Sequence, residues 1–474
     1  MHKEKSFRYA AAAVMLAKYS VVFINLAVNA VLARLISPEE FGIVAITSVF
    51  VNLFTIFSDI GVGAAIIQNE KLSEEDISSI FFYSICFGLA LGTIFFVSSF
   101  AVAYFYGNTL YIVLFGVLTV ALFCGTINTV PNALMMKKKR FGSISIRTVI
   151  SGLISGGVSI LVAIEGYGVY ALVLLSVINN VVIFSWNYIS EPVKIRKGVN
   201  RKALDKIKSY SLYLFGFNFL NYFARNLDNL LIGKFLGNTL LGYYDKAYKL
   251  MLYPVQNLTY VINPVIHPFL AAHQNNKKLV YDKYMQILKM LSWIGVFVTV
   301  FCFYFSKTIV HIIYGKGWEY SALIFRCLSI SLWFQLTTSS TGAIYQSINK
   351  TREMMHSGML YIPVQLILLL GGLLKGDLVF IAAMVSAGFI FKFFIDYFIL
   401  LKKGFHVSYF KFLGNFFPEL LITCGCVGGI RLFDYFFQGE GIVCIFFRIL
   451  VLITSYGIMF LLTRQYKLIK SKMN

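Results

Sequence analysis

Fourteen apolar segments, each close to twenty residues or longer, account for most of this 474-residue chain. A helix needs about twenty apolar residues to cross the hydrocarbon core of a bilayer. Because 58% of the residues are hydrophobic and only 13% are charged, the chain has too few polar groups to cover a water-soluble globule of this size. We therefore predict an all-α polytopic membrane protein of about 14 transmembrane helices.

Short polar loops separate the predicted spans. The spans cover residues 10–36, 41–66, 79–105, 109–136, 146–165, 168–190, 207–236, 239–272, 284–306, 319–347, 354–375, 377–401, 412–436 and 441–463. A shorter apolar stretch, Thr308–Tyr314, cannot cross a bilayer, and we expect it at the membrane interface.

The positive charge of the loops predicts how the chain is oriented. Basic clusters such as Lys137–Arg140, residues 194–208 and the C-terminal tail all fall on one side of the membrane if the N-terminus is cytoplasmic. The opposite loops then hold only Lys307, Lys316, Lys375 and Arg431. Because basic loops stay in the cytoplasm, we predict that both termini are cytoplasmic. Orientation in a membrane also accounts for the net charge of +21 without a nucleic-acid partner.

One segment of the chain recurs after 200 residues. Asn29–Gly42 (NAVLARLISPEEFG) aligns with Asn229–Gly242 (NLLIGKFLGNTLLG), with Asn at both starts and Gly at both ends. Each segment joins the first and second helices of a six-helix block, so we predict two parallel six-helix repeats followed by two C-terminal helices. The aligned bases Arg34 and Lys234 lie near outer helix ends, where a structural anchoring role is expected.

The repeat divides the chain into four predicted parts. These are an N-terminal six-helix lobe (1–190), a basic cytoplasmic linker (191–206), a C-terminal six-helix lobe (207–403), and two additional helices with a basic tail (404–474).

Polar residues inside the first span are repeated in the seventh. Lys18, Asn25 and Asn29 lie on one face of a helix, because steps of seven and eleven residues complete whole turns. Their counterparts 200 residues later are Asn218, Arg225 and Asn229. Charges within hydrocarbon are costly and usually face an interior cavity, so we expect the two helices to line a polar cleft.

Further polar residues have two readings. In the seventh span Asn221 and Asp228 lie near Arg225, and the last two, three residues apart, could instead form a structural ion pair. In the eighth span Asp245 and Lys249 share one stripe with Lys246 beside them, and the two lysines could also extend to the membrane interface.

Several chemistries lack their motifs. There is no GxxxxGK[ST] loop for ATP and no HExxH, the six histidines are scattered, and none of the seven cysteines forms a CxxC pair. We therefore expect no metal site and no catalytic cofactor. The outer loops are short, which disfavours a membrane glycosyltransferase or polymerase. Transport is the remaining class.

Four stretches carry a family resemblance: LARLISPEEFGIVAI, SDIGVGAAIIQ, RNLDNLLIGKFLGNTLLGYYDKAYKL and YGKGW. They resemble the polysaccharide-transporter (Wzx-type) branch of the multidrug/oligosaccharidyl-lipid/polysaccharide exporter superfamily, along nearly the whole chain. The resemblance implies a V-shaped molecule of two lobes with a cationic cavity. It also implies a flippase that moves a polyprenyl-diphosphate oligosaccharide from the cytoplasmic to the outer leaflet by alternating access, rather than an enzyme.

The same resemblance implies roles for individual residues. The cations expected to bind the diphosphate are Lys18, Arg225, Lys246 and Lys249. The amides expected to bind sugar hydroxyls are Asn25, Asn29, Asn218 and Asn221. The carboxylates expected to couple transport to Na⁺ or H⁺ are Asp59, Asp228 and Asp245.

The resemblance further implies a multi-pass protein of a bacterial cytoplasmic membrane. Its expected partners are the bilayer, an undecaprenyl-diphosphate-linked repeat unit of O-antigen, capsule or exopolysaccharide, and the polysaccharide polymerase and chain-length machinery. Two alternatives stay open at this point: a multidrug or cation antiporter of the same superfamily, and an integral-membrane polysaccharide polymerase.

Overall fold

A computed structural model describes residues 2–58, 62–69, 72–195, 222–223, 225–271, 276–437, 439 and 441–470. Every regular element within these ranges is helical, which confirms the predicted fold class. The chain forms two compact units, one of Met1–Asp245 with Ile312–Lys316, and one of Lys246–His311 with Gly317–Asn474.

The helices are numbered in chain order. Up to residue 235 they are α1 (His2–Leu35), α2 (Pro38–Ser58), α3 (Val62–Gln68), α4 (Glu74–Tyr106), α5 (Leu110–Ile127), α6 (Thr129–Lys137), α7 (Phe141–Ile164), α8 (Gly168–Ser190) and α9 (225–235). From residue 238 they are α10 (Asn238–Ala271), α11 (Lys277–Tyr304), α12 (Ser306–Tyr314), α13 (Glu319–Ser329), α14 (Leu332–Thr338), α15 (Thr341–Ser347), α16 (Thr351–Lys375), α17 (Leu378–Ile399), α18 (Tyr409–Gly414), α19 (Phe417–Phe436), α20 (Ile442–Leu462) and α21 (Tyr466–Lys470).

Eleven helical stretches of the described residues are long and apolar enough to cross a membrane. They correspond to eleven of the fourteen predicted spans. Of the other three, span 207–236 is described mainly through α9, and span 239–272 is the 34-residue helix α10, whose polar residues lower its hydropathy. The chain is therefore a multi-pass membrane protein.

The prediction that span 319–347, the third of these, is one continuous helix is wrong. It consists of α13, α14 and α15, and serine or threonine side chains occupy the breaks. Ser331 Oγ donates to the Leu328 carbonyl at 2.7 Å, and Thr341 Oγ1 donates to the Thr338 carbonyl at 2.8 Å. Such bonds to the carbonyl three residues earlier compete with the backbone ladder and bend helices. The mean hydropathy of a segment does not detect these hydrogen bonds from side chains to the backbone.

A proline interrupts the fourth predicted span. Residues 109–136 form α5 and α6, which meet at Asn128. Pro131 has no backbone N–H and therefore cannot continue the helical hydrogen bonds from the preceding turn. The α-helix is therefore divided at Asn128, while both pieces stay apolar.

The same neighbour pattern occurs once in each unit. In the first unit the third and fourth spans pack together (α4 on α5), the fifth and sixth pack together (α7 on α8), and the fourth packs on the sixth (α5 on α8). In the second unit α11 packs on α13 and α14, α16 packs on α17, and α13 and α14 pack on α17. These are the corresponding pairs of the second predicted repeat.

A reciprocal glycine contact joins the repeated segments within the first unit. A Cβ on Gly42 would overlap the carbonyl oxygen of Asn238, and a Cβ on Gly242 would overlap the carbonyl oxygen of Pro38. The four positions are related in pairs by the 200-residue offset, so each helix start, that of α2 and that of α10, packs against the other in the same way. Only glycine permits so close an approach of two backbones.

Two C-terminal helices pack on the second unit through α11. The Lys289 ammonium lies 2.7 Å from a carboxylate oxygen of Glu419, whose side chain is buried, while that of Lys289 is 12% exposed. Trp293 Nε1 donates to Gln465 Oε1 at 3.1 Å, and the Tyr456 hydroxyl donates to the Trp293 carbonyl at 3.0 Å. Polar bonds as well as apolar contacts therefore hold α19 and α20 in place.

Candidate functional site

The predicted polar stripe on α1 lies at the surface of the first unit. Asn25 is exposed, and Lys18 and Asn29 are partly exposed. The Asn29 side chain donates to the Asn25 carbonyl at 2.9 Å, so one amide is used to stabilise the helix. Large apolar neighbours on the same helix, including Phe23, are also exposed. The polar stripe is thus bordered by lipid-compatible surface.

The alternative reading of Arg225 and Asp228 as an ion pair does not hold among the described residues. Arg225 is exposed, whereas Asp228 is buried. The Asp228 carboxylate accepts a hydrogen bond of 2.7 Å from the Tyr244 hydroxyl and one of 2.9 Å from the Asn229 backbone N–H. The partner of the Asp228 carboxylate is therefore the Tyr244 hydroxyl of α10 and not the Arg225 guanidinium.

A second buried carboxylate is next to Tyr244 in the sequence. Asp245 follows Tyr244 in α10 and, like Asp228, is buried within the first unit. Buried carboxylates are costly unless they are hydrogen-bonded or bind a cation. The cluster of Asp228, Tyr244 and Asp245 therefore has the composition of a site for a proton or a small cation.

The lysines of α10 differ in exposure. Lys246 is 1% exposed, and its ammonium lies 5.9 Å from the centre of the Trp318 ring, a cation–π distance. Lys249 is exposed, as is Gln256 seven residues later on the same face. Of the two lysines, only Lys249 presents its charge at a surface of its unit.

Three predicted site residues lie outside the described residues. They are Asp59, Asn218 and Asn221.

Arg34 and Lys234 connect helix ends within the first unit. The Arg34 guanidinium donates to the carbonyls of Ile312 and Ile313, at 2.7 and 3.0 Å. The Lys234 ammonium donates to the Phe105 carbonyl and lies 4.4 Å from the centre of the Phe105 ring. Each base binds carbonyls at the end of a helix from the other repeat, which is the structural anchoring that their positions predict.

Sequence reasoning missed one buried charge. Arg147 lies two turns into α7 and is 7% exposed. The sequence predicts that the fifth span begins at residue 146, which would place Arg147 at the end of a helix. The structure begins the helix at Phe141, which carries Arg147 inward. The apolar residues that precede it are interrupted by Gly142 and two serines, and this weakens the signal.

Potential metal ligands are dispersed. No group of three or more His, Cys, Asp or Glu side chains suited to a metal ion occurs among the residues that the structure describes.

Two solved structures have the same fold. The lipid II flippase MurJ in an inward closed conformation matches with a TM-score of 0.75 and 15% identity, over 96% of this chain and 99% of that one. An inward-facing multidrug resistance MATE transporter of the MOP superfamily matches with a TM-score of 0.63 and 17% identity, over 81% and 96% of the two chains. At these identities the likeness establishes the fold.

Curated relatives come from surface-polymer pathways. The teichuronic acid biosynthesis protein TuaB of Bacillus subtilis is 21% identical over 61% of this chain, and the match spans 60% of the length of TuaB. The lipopolysaccharide biosynthesis protein WzxC of Escherichia coli is 20% identical over 83% of this chain and 80% of WzxC.

The family model described as "Polysaccharide biosynthesis protein" matches residues 31–323, which is more than half of the chain. This range contains all but the first two residues of the repeated segments, the reciprocal glycine contact and the cluster around Tyr244. It also agrees with the family resemblance that the sequence motifs predicted. The chain belongs to this polysaccharide biosynthesis protein family.

Proposed function

We propose that this protein is a flippase that moves a polyprenyl-diphosphate-linked oligosaccharide from the cytoplasmic to the outer leaflet by alternating access. The observation that carries the proposal is the combination of a polysaccharide-biosynthesis family match with a transporter fold along 96% of the chain. A protein with this fold and in this family is best suited to move a membrane-bound sugar intermediate, and one solved protein of the fold is named a lipid II flippase.

The exposed bases of the first unit fit the anionic part of such a substrate. Arg225 is exposed and has no carboxylate partner among the described residues, and Lys18 is partly exposed. A guanidinium offers two parallel N–H donors that match a phosphate, which makes charge-assisted bonds. In this proposal Arg225 and Lys18 bind the diphosphate. The role of Lys249 as a phosphate ligand stays a prediction.

Amides fit the sugar part. Asn25 is exposed beside Asn29, and each amide group both donates and accepts hydrogen bonds, as sugar hydroxyls do. We assign Asn25, Asn29, Asn218 and Asn221 to the sugar. Because Lys246 is buried against Trp318, we assign it a supporting role in which it holds the start of α10 in place.

Buried carboxylates fit ion coupling. Asp228 accepts a hydrogen bond from Tyr244, and Asp245 follows Tyr244 in α10. Both carboxylates are buried inside the first unit, and a bound H⁺ or Na⁺ would neutralise one of them. In this proposal the occupancy of the cluster is linked to transport, and Asp59 is a further coupling residue.

The proposed setting is a bacterial cytoplasmic membrane with both termini in the cytoplasm. The substrate is the undecaprenyl-diphosphate repeat unit of an O-antigen, capsule or exopolysaccharide. The polymerase and the chain-length machinery would act on it after transfer.

A complementation experiment tests the function. In a strain without the gene, the lipid-linked oligosaccharide should accumulate in the inner leaflet, out of reach of a membrane-impermeant glycosidase, and surface polymer should be lost. The wild-type gene restores both. Arg225→Ala should reduce surface polymer to about a tenth or less, because charge-assisted bonds to phosphate are lost.

Arg326→Ala is the matched control. Arg326 is another exposed arginine of a predicted span, and its guanidinium lies 4.5 Å from the centre of the Phe303 ring. This variant should support normal export. If the intermediate reaches the outer leaflet at the wild-type rate without the gene, the proposed function is wrong.

An antiporter function has one observation in its favour, the MATE fold with a TM-score of 0.63. Proteoliposomes separate the two functions. A flippase exposes a fluorescent polyprenyl-diphosphate oligosaccharide to an external quencher, whereas an antiporter accumulates a cationic dye when an ion gradient is imposed.

A further inference from the structure

Arg147 is a buried cation, and the side chains that accept its hydrogen bonds among the described residues are neutral amides. Its Nη1 donates to Asn132 Oδ1 at 3.2 Å and to Asn187 Oδ1. Its Nε is buried and has no hydrogen-bond partner. About 9 Å of helix separates Arg147 from the start of α7 at Phe141, next to the basic loop Lys137–Arg140.

One of the two contacting amides is held by a third asparagine. The Asn187 side chain, itself fully buried, donates to Asn128 Oδ1 at 2.7 Å. This leaves the Asn187 amide oxygen turned to the guanidinium. Asn128, Asn132 and Asn187 come from the α5–α6 junction, α6 and α8, so the packing of four helices orients the group. The amides supply dipoles and no negative charge.

Two other bases of the described spans, both largely or partly buried, are paired with a carboxylate. Lys289 pairs with Glu419 and Lys392 with Asp396, both at 2.7 Å. In the region of Arg147 the buried carboxylate is Glu191, and it lies 2.6 Å from Lys138 and 3.1 Å from an Arg140 nitrogen. No carboxylate among the described residues lies within ion-pair distance of Arg147. A buried charge without a counter-charge is costly, and an anion from outside the chain would remove that cost.

The register of two helices brings a second cation to the same depth. Ile24 lies opposite Gly152, and Val28 lies opposite Gly156, so α1 and α7 run parallel with an offset of 128 residues. With this offset, Arg147 of α7 lies level with residue 19 of α1, which follows Lys18 in the sequence. The first unit therefore has two bases at one level near the end that carries the basic loop.

We propose that Arg147 is the centre of a binding site for a phosphate-type oxyanion, formed with Asn132 and Asn187 inside the first unit. The bound group is the phosphate of a lipid, and the unpaired Nε and the second terminal nitrogen of the guanidinium supply the donors. That the natural occupant is the lipid-linked diphosphate rests on the proposed function. The oxyanion chemistry itself does not, because a phospholipid headgroup carries the same group.

Binding is measured on the full-length protein in a maltoside detergent, which contains no phosphate. The probes are undecaprenyl diphosphate, inorganic pyrophosphate and phosphatidylglycerol, and the readouts are native mass spectrometry and the rise in melting temperature with added probe. At least one probe should bind the wild type. Arg147→Met should weaken that binding about tenfold or more, because charge-assisted bonds are lost.

A second variant keeps the proposal testable if Arg147→Met does not fold. Asn132→Asp is nearly isosteric and places a carboxylate against the guanidinium. It should keep or raise the melting temperature without probe and weaken probe binding by a similar factor, because the counter-charge is then internal. Arg448→Gln is the control, since Arg448 already lies 2.6 Å from a carboxylate oxygen of Asp434. It should bind like the wild type.

The three probes identify the source of the anion. Preference for undecaprenyl diphosphate points to the substrate, preference for phosphatidylglycerol to a bilayer lipid, and equal binding of pyrophosphate to the oxyanion alone. Wild-type affinity for every probe in both Arg147→Met and Asn132→Asp would overturn the site, as would no binding of any probe to the wild type. Wild-type export of the intermediate in a strain without the gene, together with probe binding that depends on Arg147, would count against the proposed function and leave this site standing.

Discussion

Gly42 and Gly242 face each other where α2 and α10 begin, and a Cβ on Gly242 would lie 3.2 Å from the backbone nitrogen of Gly42. Each glycine also borders the carbonyl group of the residue four positions before the other, Pro38 or Asn238. The obstacle is backbone on both sides, so a side chain cannot be accommodated by a rotamer change.

Alanine at either glycine should therefore destabilise the protein. We expect Gly42→Ala and Gly242→Ala each to lower the free energy of unfolding by about 1–3 kcal/mol or more, as overpacking does. Thermal unfolding in detergent measures this. Gly157→Ala is the control, because Gly157 lies within a helix and has open space around it. That change should be neutral or slightly stabilising. Equal melting temperatures for Gly42→Ala and Gly157→Ala would contradict the contact.

The Lys289–Glu419 pair should be costly to break. Glu419→Gln leaves a buried ammonium without its counter-charge, and we expect a loss of about 3–5 kcal/mol. The comparison is Glu353→Gln, which breaks the more exposed Lys350–Glu353 pair and should cost less than about 1 kcal/mol. Chemical unfolding in mixed micelles gives both values. A smaller loss for Glu419→Gln than for Glu353→Gln would mean that the pair does not hold α19 on α11.

Cysteine labelling should reveal the orientation. In a cysteine-free background, a membrane-impermeant maleimide added to intact cells should label Lys316→Cys and leave Lys139→Cys unlabelled until the cells are permeabilised. Lys316 belongs to one of the few basic loops predicted outside, and Lys139 to a basic cluster predicted inside. The reverse labelling pattern would invert the topology.

Asp228→Asn should separate binding from coupling. The amide retains a hydrogen-bonding group beside Tyr244 but carries no charge, so an ion that neutralises the carboxylate is no longer needed. In proteoliposomes we expect substrate binding within about twofold of wild type and transport that no longer responds to an imposed Na⁺ or proton gradient. The Asp245→Asn variant, measured in the same way, shows how much Asp245 contributes to the response of transport to the gradient. A wild-type gradient response in both variants would exclude this cluster from coupling.

Much of the fold could be predicted because apolar run length has one dominant cause. A bilayer requires long apolar helices with satisfied backbone groups, and that requirement is visible in the sequence. The interruptions of span 319–347 were missed because serine and threonine count as mildly polar in hydropathy, while their effect is a local hydrogen bond. The length and mean polarity of a segment therefore do not reveal these side-chain hydrogen bonds.

The candidate site could be predicted only in part. Spacing along one helix left open whether Arg225 pairs with Asp228 or faces a cavity. The bond to Asp228 is made by Tyr244, which tertiary packing brings from the next helix. Arg147 is informative only because its neighbours are amides from other helices, and no single-helix pattern shows this.

A second repeat was also overlooked. FYGNTLY, at residues 105–111, resembles IYGKGWEY, at residues 313–320, and both Gly107 and Gly315 adopt left-handed backbone conformations, with φ of 69° and 86°. One extra residue in the second copy and an offset larger than 200 hide the match from a comparison at a fixed offset.

The first compact unit includes Ile312–Lys316, which the Arg34 guanidinium reaches. A ribosome makes Arg34 long before it makes those residues. Folding of the first unit therefore cannot be completed during synthesis of its own continuous stretch, and it must wait until most of the polypeptide has entered the bilayer. A gene truncated after codon 245 would yield a product without Ile312 and Ile313, whose carbonyl groups accept hydrogen bonds from Arg34 in the complete fold.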